Sequence, residues 1–458
     1  MKKFINLCLD NFYFSIFYLF TCFTFVSCMQ YLPYINYLPK IALIWGILIS
    51  FYHIYKMIKR RPTMVEWFIL SFLTITLILN LLAYYSSENL KIWLVNFVIM
   101  LSFAYVNQDK SKEKLNFELN VISIFYLIIT FFTSAISLYY HFSKTKTVIG
   151  DIVLNDTNGV FTNKNTLGIA CAISIIIALY IIFSTKNNIL HFFSIINLLI
   201  QSATLYFSEA RGPLLMLIGL ILVLVMILIK NKVLQLILFI CPFIANLMLL
   251  FFDYETMYKY TTGRNGVWLS TFEVIKKNYL FGVGNDGLVE KIKTAIPKLT
   301  LPPFDLGGTH NIYIQILSVN GPFALIIFLG IILLSVFSLL KAYKDYENKK
   351  QLYAILSMII GLVLVNLFES NLVYMVSFVP IIFWIFIGYS LSLIQKNKLW
   401  KNDFSQLLLY HNFYFFHGEA SKYFIKSSLN SGFFNANSIL AWRKPNLSPT
   451  SYLWPSKL

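Results

Sequence analysis

Residues 313–340 read YIQILSVNGPFALIIFLGIILLSVFSLL and contain no charged side chain. A transmembrane helix needs about 20 consecutive, mainly apolar residues, so this stretch is long enough to cross a bilayer. Similar runs recur along the whole chain. The pattern therefore predicts a polytopic, all-α integral membrane protein.

The composition agrees with this interpretation. Of the 458 residues, 58% are hydrophobic and only 12% are charged, about half the share of charge in a soluble domain. A soluble fold of this length would need far more polar surface. The net charge of +17 does not indicate nucleic-acid binding, because the Lys and Arg residues lie in short clusters between apolar runs, as topology signals do.

The apolar runs predict about twelve spans. They cover residues 11–31, 41–58, 64–83, 90–106, 119–140, 166–183, 189–207, 212–229, 233–252, 313–340, 353–371 and 376–394. The last two are divided by a weak break at Glu369, Ser370 and Asn371. The first run resembles a signal peptide, but its length and the spans that follow favour an uncleaved helix.

Basic residues alternate consistently between the loops. With a cytoplasmic N-terminus, the inside loops hold Lys56, Lys59, Arg60, Arg61, Lys110, Lys112, Lys114, Lys186, Lys230, Lys232, Lys341, Lys344, Lys349 and Lys350. The short outside loops hold fewer: Lys40, Lys91, Lys144, Lys146 and Lys164. This positive-inside pattern predicts twelve spans with both termini in the cytoplasm.

Three segments stand apart from the helices of the predicted membrane domain, residues 1–394. Two are long outside segments, 141–165 and 253–312. The second combines a helix-like stretch at 264–278 with Gly and Pro breaks, so we expect a partly helical, functional cap over the outer face. The third, 395–458, is a predicted cytoplasmic tail to which we assign no role.

Five cysteines, at positions 8, 22, 28, 171 and 241, lie in or beside apolar runs without a C-x-x-C pair or a Cys/His cluster. They predict buried small side chains, and neither a zinc site nor a disulfide framework.

Arg211 and Arg264 are the first candidates for chemistry. Arg211 lies where one predicted span ends outside and the next begins, and a charge at this depth is a functional candidate. It could equally reach lipid headgroups or pair with Glu209. Arg264 follows Gly263 at a predicted helix start, where its guanidinium would suit phosphate oxygens. Taken alone, Arg264 also fits a solvated loop residue.

His310 is the candidate base. It lies where the large outer segment re-enters the membrane, and histidine accepts a proton near neutral pH. Alone it fits an interfacial residue bonded to backbone or Asn. Together, two cations and one base at one face suit a specific task, which is to hold a pyrophosphate leaving group while a hydroxyl is deprotonated.

Weaker candidates flank these three residues. Asn163 and Asn165 precede a predicted span from outside, where they could bind sugar or phosphate, or merely cap a helix. Glu369 interrupts an apolar stretch near the outer face and could pair with an arginine or contact an acceptor.

These segments resemble the O-antigen ligase and O-antigen or capsule polymerase superfamily. The matching pieces, in order, are Asn163–Gly168, Ser208–Pro213, Gly263–Trp268, Phe281–Gly284, then His310 with Asn311, and Gly321. They cover roughly residues 150–375, and their order and spacing carry the resemblance.

The resemblance implies a multi-spanning glycosyltransferase in a bacterial inner membrane, with its active site facing outside. Arg211 and Arg264 would grip the diphosphate of a polyprenyl-linked oligosaccharide donor, and His310 would be the general base. Asn163, Asn165, Glu209, Asn311 and Glu369 would contact substrate. The sugar would move with inversion, without metal or other cofactor. The implied partners are membrane lipids, a glycan or lipid A core acceptor, a flippase and a chain-length regulator.

Two other functions remain open from the sequence. A transporter or flippase of lipid-linked oligosaccharide would also have about twelve spans, although transporters usually carry charges within repeated halves. A binding scaffold would not need a titrating histidine. Within the enzyme interpretation, a polymerase and a ligase differ in acceptor, and we favour a polymerase.

Overall fold

The computed structural model describes residues 7–295 and 308–395, and these residues are mainly helical. In the first part of the chain the helices are α1 Asn11–Phe25, α2 Tyr37–Arg60, α3 Met64–Leu82, α4 Ser87–Phe103, α5 Lys112–Ser143, α6 Lys164–Ser184, α7 Asn188–Phe207, α8 Leu214–Leu228 and α9 Lys232–Met248. They continue with α10 Tyr254–Thr261, α11 Arg264–Lys277, α12 Leu288–Ala295, α13 Ile312–Ala342, α14 Lys349–Val365 and α15 Phe378–Gln395.

Every predicted span overlaps one of these helices, and the chain is a multi-pass membrane protein. Within the described residues, eight helices are long and apolar enough to cross a membrane, and α1 and α8 are shorter apolar helices. The helices α4 and α14 have 17 residues each. The count of twelve spans therefore stays a prediction.

Two predicted boundaries are wrong. The span 11–31 is a helix only to Phe25, and a 3₁₀ turn follows at Cys28–Tyr31. The span 353–371 ends at Val365, so Glu369 lies in a loop and not in a helix. The apolar residues Leu367, Leu372 and Val373 of that loop are buried in protein, which hydropathy alone cannot distinguish from burial in lipid.

The helices differ in what surrounds them. Almost all of α14 and α15 is buried inside the protein, whereas α9 exposes most of its apolar side chains. A continuous apolar surface of this kind is what lipid would cover. Gly219 of α8 packs directly on Gly361 of α14, so that a Cβ at Gly219 would come within 2.8 Å of the Gly361 Cα. Such small residues let membrane helices approach closely.

Buried ion pairs fasten the ends of helices on the predicted cytoplasmic side. Lys110 lies 2.6 Å from both Asp10 and Glu118, and Glu118 is 2% exposed. Arg60 pairs with the fully buried Glu66, which also caps α3 through Thr63. Sequence reasoning read Arg60 and Lys110 only as topology signals, and these contacts give them a second role in packing.

The two long segments predicted to lie outside contain regular structure. In the first, residues Thr147–Ile149 and Ile152–Leu154 form an antiparallel hairpin. The second contains α10, α11 and α12, and a small core there includes Val267 and Val274 of α11 and Ile292 of α12. The helix predicted at 264–278 is confirmed as α11. The prolines predicted to break this segment lie outside the described residues, as does the predicted tail 395–458 beyond Gln395.

A break in α13 anchors the large segment. Gly321 has φ 75° and ψ −179°, and Pro322 follows it. Because proline has no N–H, the carbonyl of Ser318 loses its normal helical donor. Val283 donates to this carbonyl at 2.9 Å, and Gly284 donates to the Val319 carbonyl at 3.1 Å. Phe281–Gly284 therefore docks by backbone hydrogen bonds, which satisfy groups that could not be left bare at membrane depth.

Glycine is required at this contact. Gly282 has a positive φ of 75°, and a Cβ there would stand 2.4 Å from the backbone carbon and oxygen of Val319. Both the conformation and the close approach favour glycine. The Phe281–Gly284 piece of the sequence pattern is thus a docking element that ties the outer segment to α13.

Candidate functional site

Glu369 lies at the centre of the candidate site. It sits in the loop between α14 and α15, and 6% of its surface is exposed. Arg264 donates from Nη2 to Glu369 Oε1 at 2.7 Å. His310 Nδ1 lies 3.5 Å from Glu369 Oε2. The carboxylate therefore brings together two of the three residues predicted to carry the chemistry.

Asn165 is a further partner of this carboxylate. It lies in the first turn of α6 and donates from Nδ2 to Glu369 Oε1 at 3.1 Å. One carboxylate oxygen thus accepts from an arginine and an amide that are far apart in sequence. Buried carboxylates are stable when such donors satisfy them.

The start of α11 positions Arg264. Thr262 and Gly263 both have positive φ, 58° and 81°, and the helix begins directly after them. Trp268 lies one turn further along, is fully buried, and donates from Nε1 to the carbonyl of Thr309 at 2.9 Å. Because residues i and i+4 share a helix face, this bond holds Arg264 next to the segment that carries His310.

The start of α13 positions His310. Its φ is 50°, a left-handed conformation that is uncommon for a residue with a side chain. The next residue, Asn311, caps α13 by accepting from Tyr313 and Ile314, and its amide donates to Asn246 Oδ1 and the Leu367 carbonyl. These bonds fix the backbone on one side of the histidine.

The loop that carries Glu369 is bonded to the same turn. The N–H of Ile312 donates to the carbonyls of Asn366 and Glu369, at 3.1 and 3.0 Å. Asn366 Oδ1 accepts from the N–H of Asn371 at 2.7 Å. The backbone around Glu369 is therefore held against the start of α13, and strain of the kind seen at His310 is typical of sites whose surroundings over-determine the conformation.

Arg211 lies on the segment between α7 and α8. A Cβ at Gly168 would come within 2.6 Å of Ala210 Cβ and 2.9 Å of Pro213 Cγ, so this segment packs on α6 about one turn beyond Asn165. Arg211 is exposed. The ion pairs between described residues include none that joins Arg211 to Glu209, the pairing that the sequence left open.

The predicted substrate contacts fall into three groups. Asn165 and Glu369 belong to the central cluster. Asn163 and Asn311 cap α6 and α13, which is the structural role foreseen for Asn163. Glu209 is exposed, with a positive φ of 54°. Within residues 7–295 and 308–395, no three His, Cys, Asp or Glu side chains gather into a possible metal site.

Sequence reasoning missed three supporting residues, Asn246, Trp268 as an anchor, and Thr309. Asn246 is an isolated polar residue near the end of an apolar run, which was a usable signal. Thr309 is fully buried and its hydroxyl donates to the Asn311 carbonyl at 2.8 Å. No sequence pattern indicates that contact.

Part of the chain matches a known family. Residues 196–329 match the model of the O-antigen ligase family. This match covers 134 of the 458 residues. The resemblance to the O-antigen ligase and polymerase superfamily is thereby confirmed, and no curated protein matches the chain.

The matched residues include Glu209, Arg211, Arg264, His310 and Asn311, whereas Asn165 and Glu369 lie outside the match. The structure joins these two to Arg264 through hydrogen bonds. At the level of the family, the match indicates a surface-polysaccharide ligase or polymerase with glycosyltransferase-like activity, a lipid-linked oligosaccharide donor and a glycan acceptor.

Proposed function

We propose that this protein transfers an oligosaccharide from a polyprenyl diphosphate to an acceptor hydroxyl at the outer face of a bacterial inner membrane. The observation that supports this most strongly is the meeting of Arg264 and His310 at Glu369. A fixed cation and a titratable base next to each other match the two needs of the reaction, which are a stabilised leaving group and a deprotonated nucleophile.

Arg264 is the proposed diphosphate ligand, together with Arg211. A guanidinium carries five N–H donors, and Glu369 engages Arg264 through Nη2. The diphosphate that leaves acquires negative charge near a low-dielectric boundary, where a nearby cation acts strongly. Arg211, which is exposed, would meet the same group once a donor lipid arrives from the bilayer.

His310 is the proposed general base. The acceptor oxygen would attack the anomeric carbon while its proton passes to the imidazole. The bond between that carbon and the phosphate oxygen breaks, and the diphosphate leaves with the electron pair. One displacement of this kind inverts the anomeric configuration. Glu369, facing His310 Nδ1, would orient the ring and stabilise the imidazolium that forms.

The finer assignments are also part of this proposal. We favour a polymerase, whose acceptor is a second polyprenyl-linked glycan, over a ligase that uses a lipid A core. The reaction would need no metal or cofactor. A flippase that supplies the donor and a chain-length regulator are the expected partners. Neither the large outer segment nor the tail has a role in this scheme beyond the residues named.

Reconstitution tests the proposal. The purified protein in proteoliposomes receives a fluorescent polyprenyl-diphosphate oligosaccharide, first alone and then with a lipid A core acceptor. We expect a ladder of longer glycans from the donor alone, also in the presence of a chelator. Labelled lipid A core without a ladder would assign a ligase. Donor that crosses the bilayer without forming any glycosidic bond would reject the enzyme and favour the transporter.

A further inference from the structure

Two buried polar atoms beside the central cluster have no hydrogen-bond partner among the described residues. They are Gln315 Oε1 and Ser370 Oγ. Leaving such an atom buried and unpaired is unfavourable, so each case calls for an explanation. Their position next to the proposed reaction centre suggests that a substrate supplies the missing bonds.

Gln315 lies in the first turn of α13. It is 8% exposed, and its N–H donates to the Asn311 carbonyl at 2.9 Å. A Cβ at Gly308 would stand 3.1 Å from Gln315 Oε1. The amide oxygen therefore lies against the segment that leads into His310, two residues further along.

Ser370 directly follows Glu369 and is held on both sides. The Glu369 carbonyl accepts from Ile312, and the N–H of Asn371 donates to Asn366. These bonds fix the backbone, and so the hydroxyl of Ser370 has a defined place. Since Ile312 belongs to the same first turn as Gln315 and bonds to the Glu369 carbonyl, both residues lie close to the junction of α13 with the Glu369 loop.

We propose that Gln315 and Ser370 form a subsite for sugar hydroxyls. An amide oxygen only accepts hydrogen bonds, so it is complementary to a hydroxyl and not to a diphosphate, whose oxygens also only accept. A serine hydroxyl can donate to or accept from a sugar. The two residues would thus bind hydroxyls of the glycan while Arg264 and Arg211 bind the diphosphate. This inference rests on the proposed function and names the part of the substrate that each group contacts.

The test compares Gln315→Leu and Ser370→Ala with matched controls in the reconstituted transfer assay. Donor and acceptor are titrated separately, because the hydroxyls could belong to either sugar. We expect KM to rise roughly 3- to 10-fold for one of the two substrates, because each variant loses one neutral hydrogen bond to a sugar. The substrate whose KM rises identifies the sugar.

Thermal stability separates recognition from a structural role. Removing an unpaired buried acceptor should leave the melting temperature of Gln315→Leu unchanged or higher. The control is Gln351, a buried glutamine whose Nε2 donates to Asn116 and Tyr180. Gln351→Leu should lower stability and leave KM unchanged. Ser335→Ala, which removes a hydroxyl bonded to Ile331, is the control for serine.

Each outcome decides between distinct claims. A raised KM with unchanged stability supports the subsite. Wild-type KM for both substrates, a change confined to kcat, or a loss of stability like that of Gln351→Leu overturns it while leaving the proposed function intact. A wild-type protein that transfers no glycan from any polyprenyl-linked donor rejects the proposed function, and the subsite with it.

Discussion

Arg264 Nη2 donates to Glu369 Oε1 at 2.7 Å across a separation of 105 residues. The side chains are 13% and 8% exposed, so the pair is largely shielded from water. A buried pair of this kind is favourable only when both partners are present. The same contact therefore has consequences for stability and for the proposed chemistry.

Breaking this pair should destabilise the protein. Glu369→Ala leaves the Arg264 charge buried without its partner, at a cost of about 3–5 kcal/mol. In the double variant with Arg264→Ala, the loss should be clearly smaller than the sum of the two single losses, because neither charge is left alone. Thermal unfolding in detergent measures this cycle. Additive losses would show that the pair is not coupled.

Substitution of Arg211 should lower activity without lowering stability. It is exposed, so Arg211→Lys should leave the melting temperature unchanged. The substitution keeps the charge but loses the paired donors that match phosphate oxygens, and we expect transfer to fall at least about 10-fold. Arg61→Lys, an exposed arginine on the predicted cytoplasmic side, should change neither quantity. Unaltered turnover in Arg211→Lys would leave Arg211 as an interfacial residue.

The docking of Phe281–Gly284 on α13 should depend on Gly282. A Cβ at this position would lie 2.4 Å from the Val319 backbone, and the φ of Gly282 is positive. Gly282→Ala should therefore lower the free energy of unfolding by at least about 2 kcal/mol. Gly287 is the control, since the nearest contact of its added Cβ is the Val283 carbonyl at 3.4 Å. Gly287→Ala should change stability by less than about 0.5 kcal/mol. Equal stability of the two variants would mean that this docking is not required.

Asn311 offers a test of cap against substrate contact. Asn311→Ala removes a helix cap and leaves the buried Asn246 Oδ1 without its donor, so it should cost about 2 kcal/mol or more. Asn163→Ala removes only a cap and should cost about 1 kcal/mol. The KM of the folded Asn311→Ala protein should be unchanged. A raised KM at normal stability would restore the substrate contact implied by the resemblance.

Much of the fold could be predicted from local patterns. Apolar length placed a helix at every expected span, and a glycine before Arg264 marked the start of α11. Hydropathy could not place the end of α14 at Val365, because the following apolar residues are buried in protein and not in lipid. It also could not reveal the break in α13, since the bonds that stabilise it come from Val283 and Gly284, far away in the chain.

The residue types of the site could be predicted from the sequence, but the central position of Glu369 could not. Arg264 and His310 stood out as a cation and a base at one face. Glu369 was a minor candidate that could pair with an arginine, but a lone acid in an apolar run does not reveal which arginine. That it joins Arg264, His310 and Asn165 depends on tertiary contacts between four separate segments, and no spacing rule encodes these contacts.

The most direct test is the transfer rate of Arg264→Ala and His310→Ala proteins in proteoliposomes, with each variant normalised to the amount inserted. We expect each substitution to lower the rate of glycosidic bond formation at least about 100-fold, because charge stabilisation or a general base is lost. Wild-type rates in both variants would contradict this expectation.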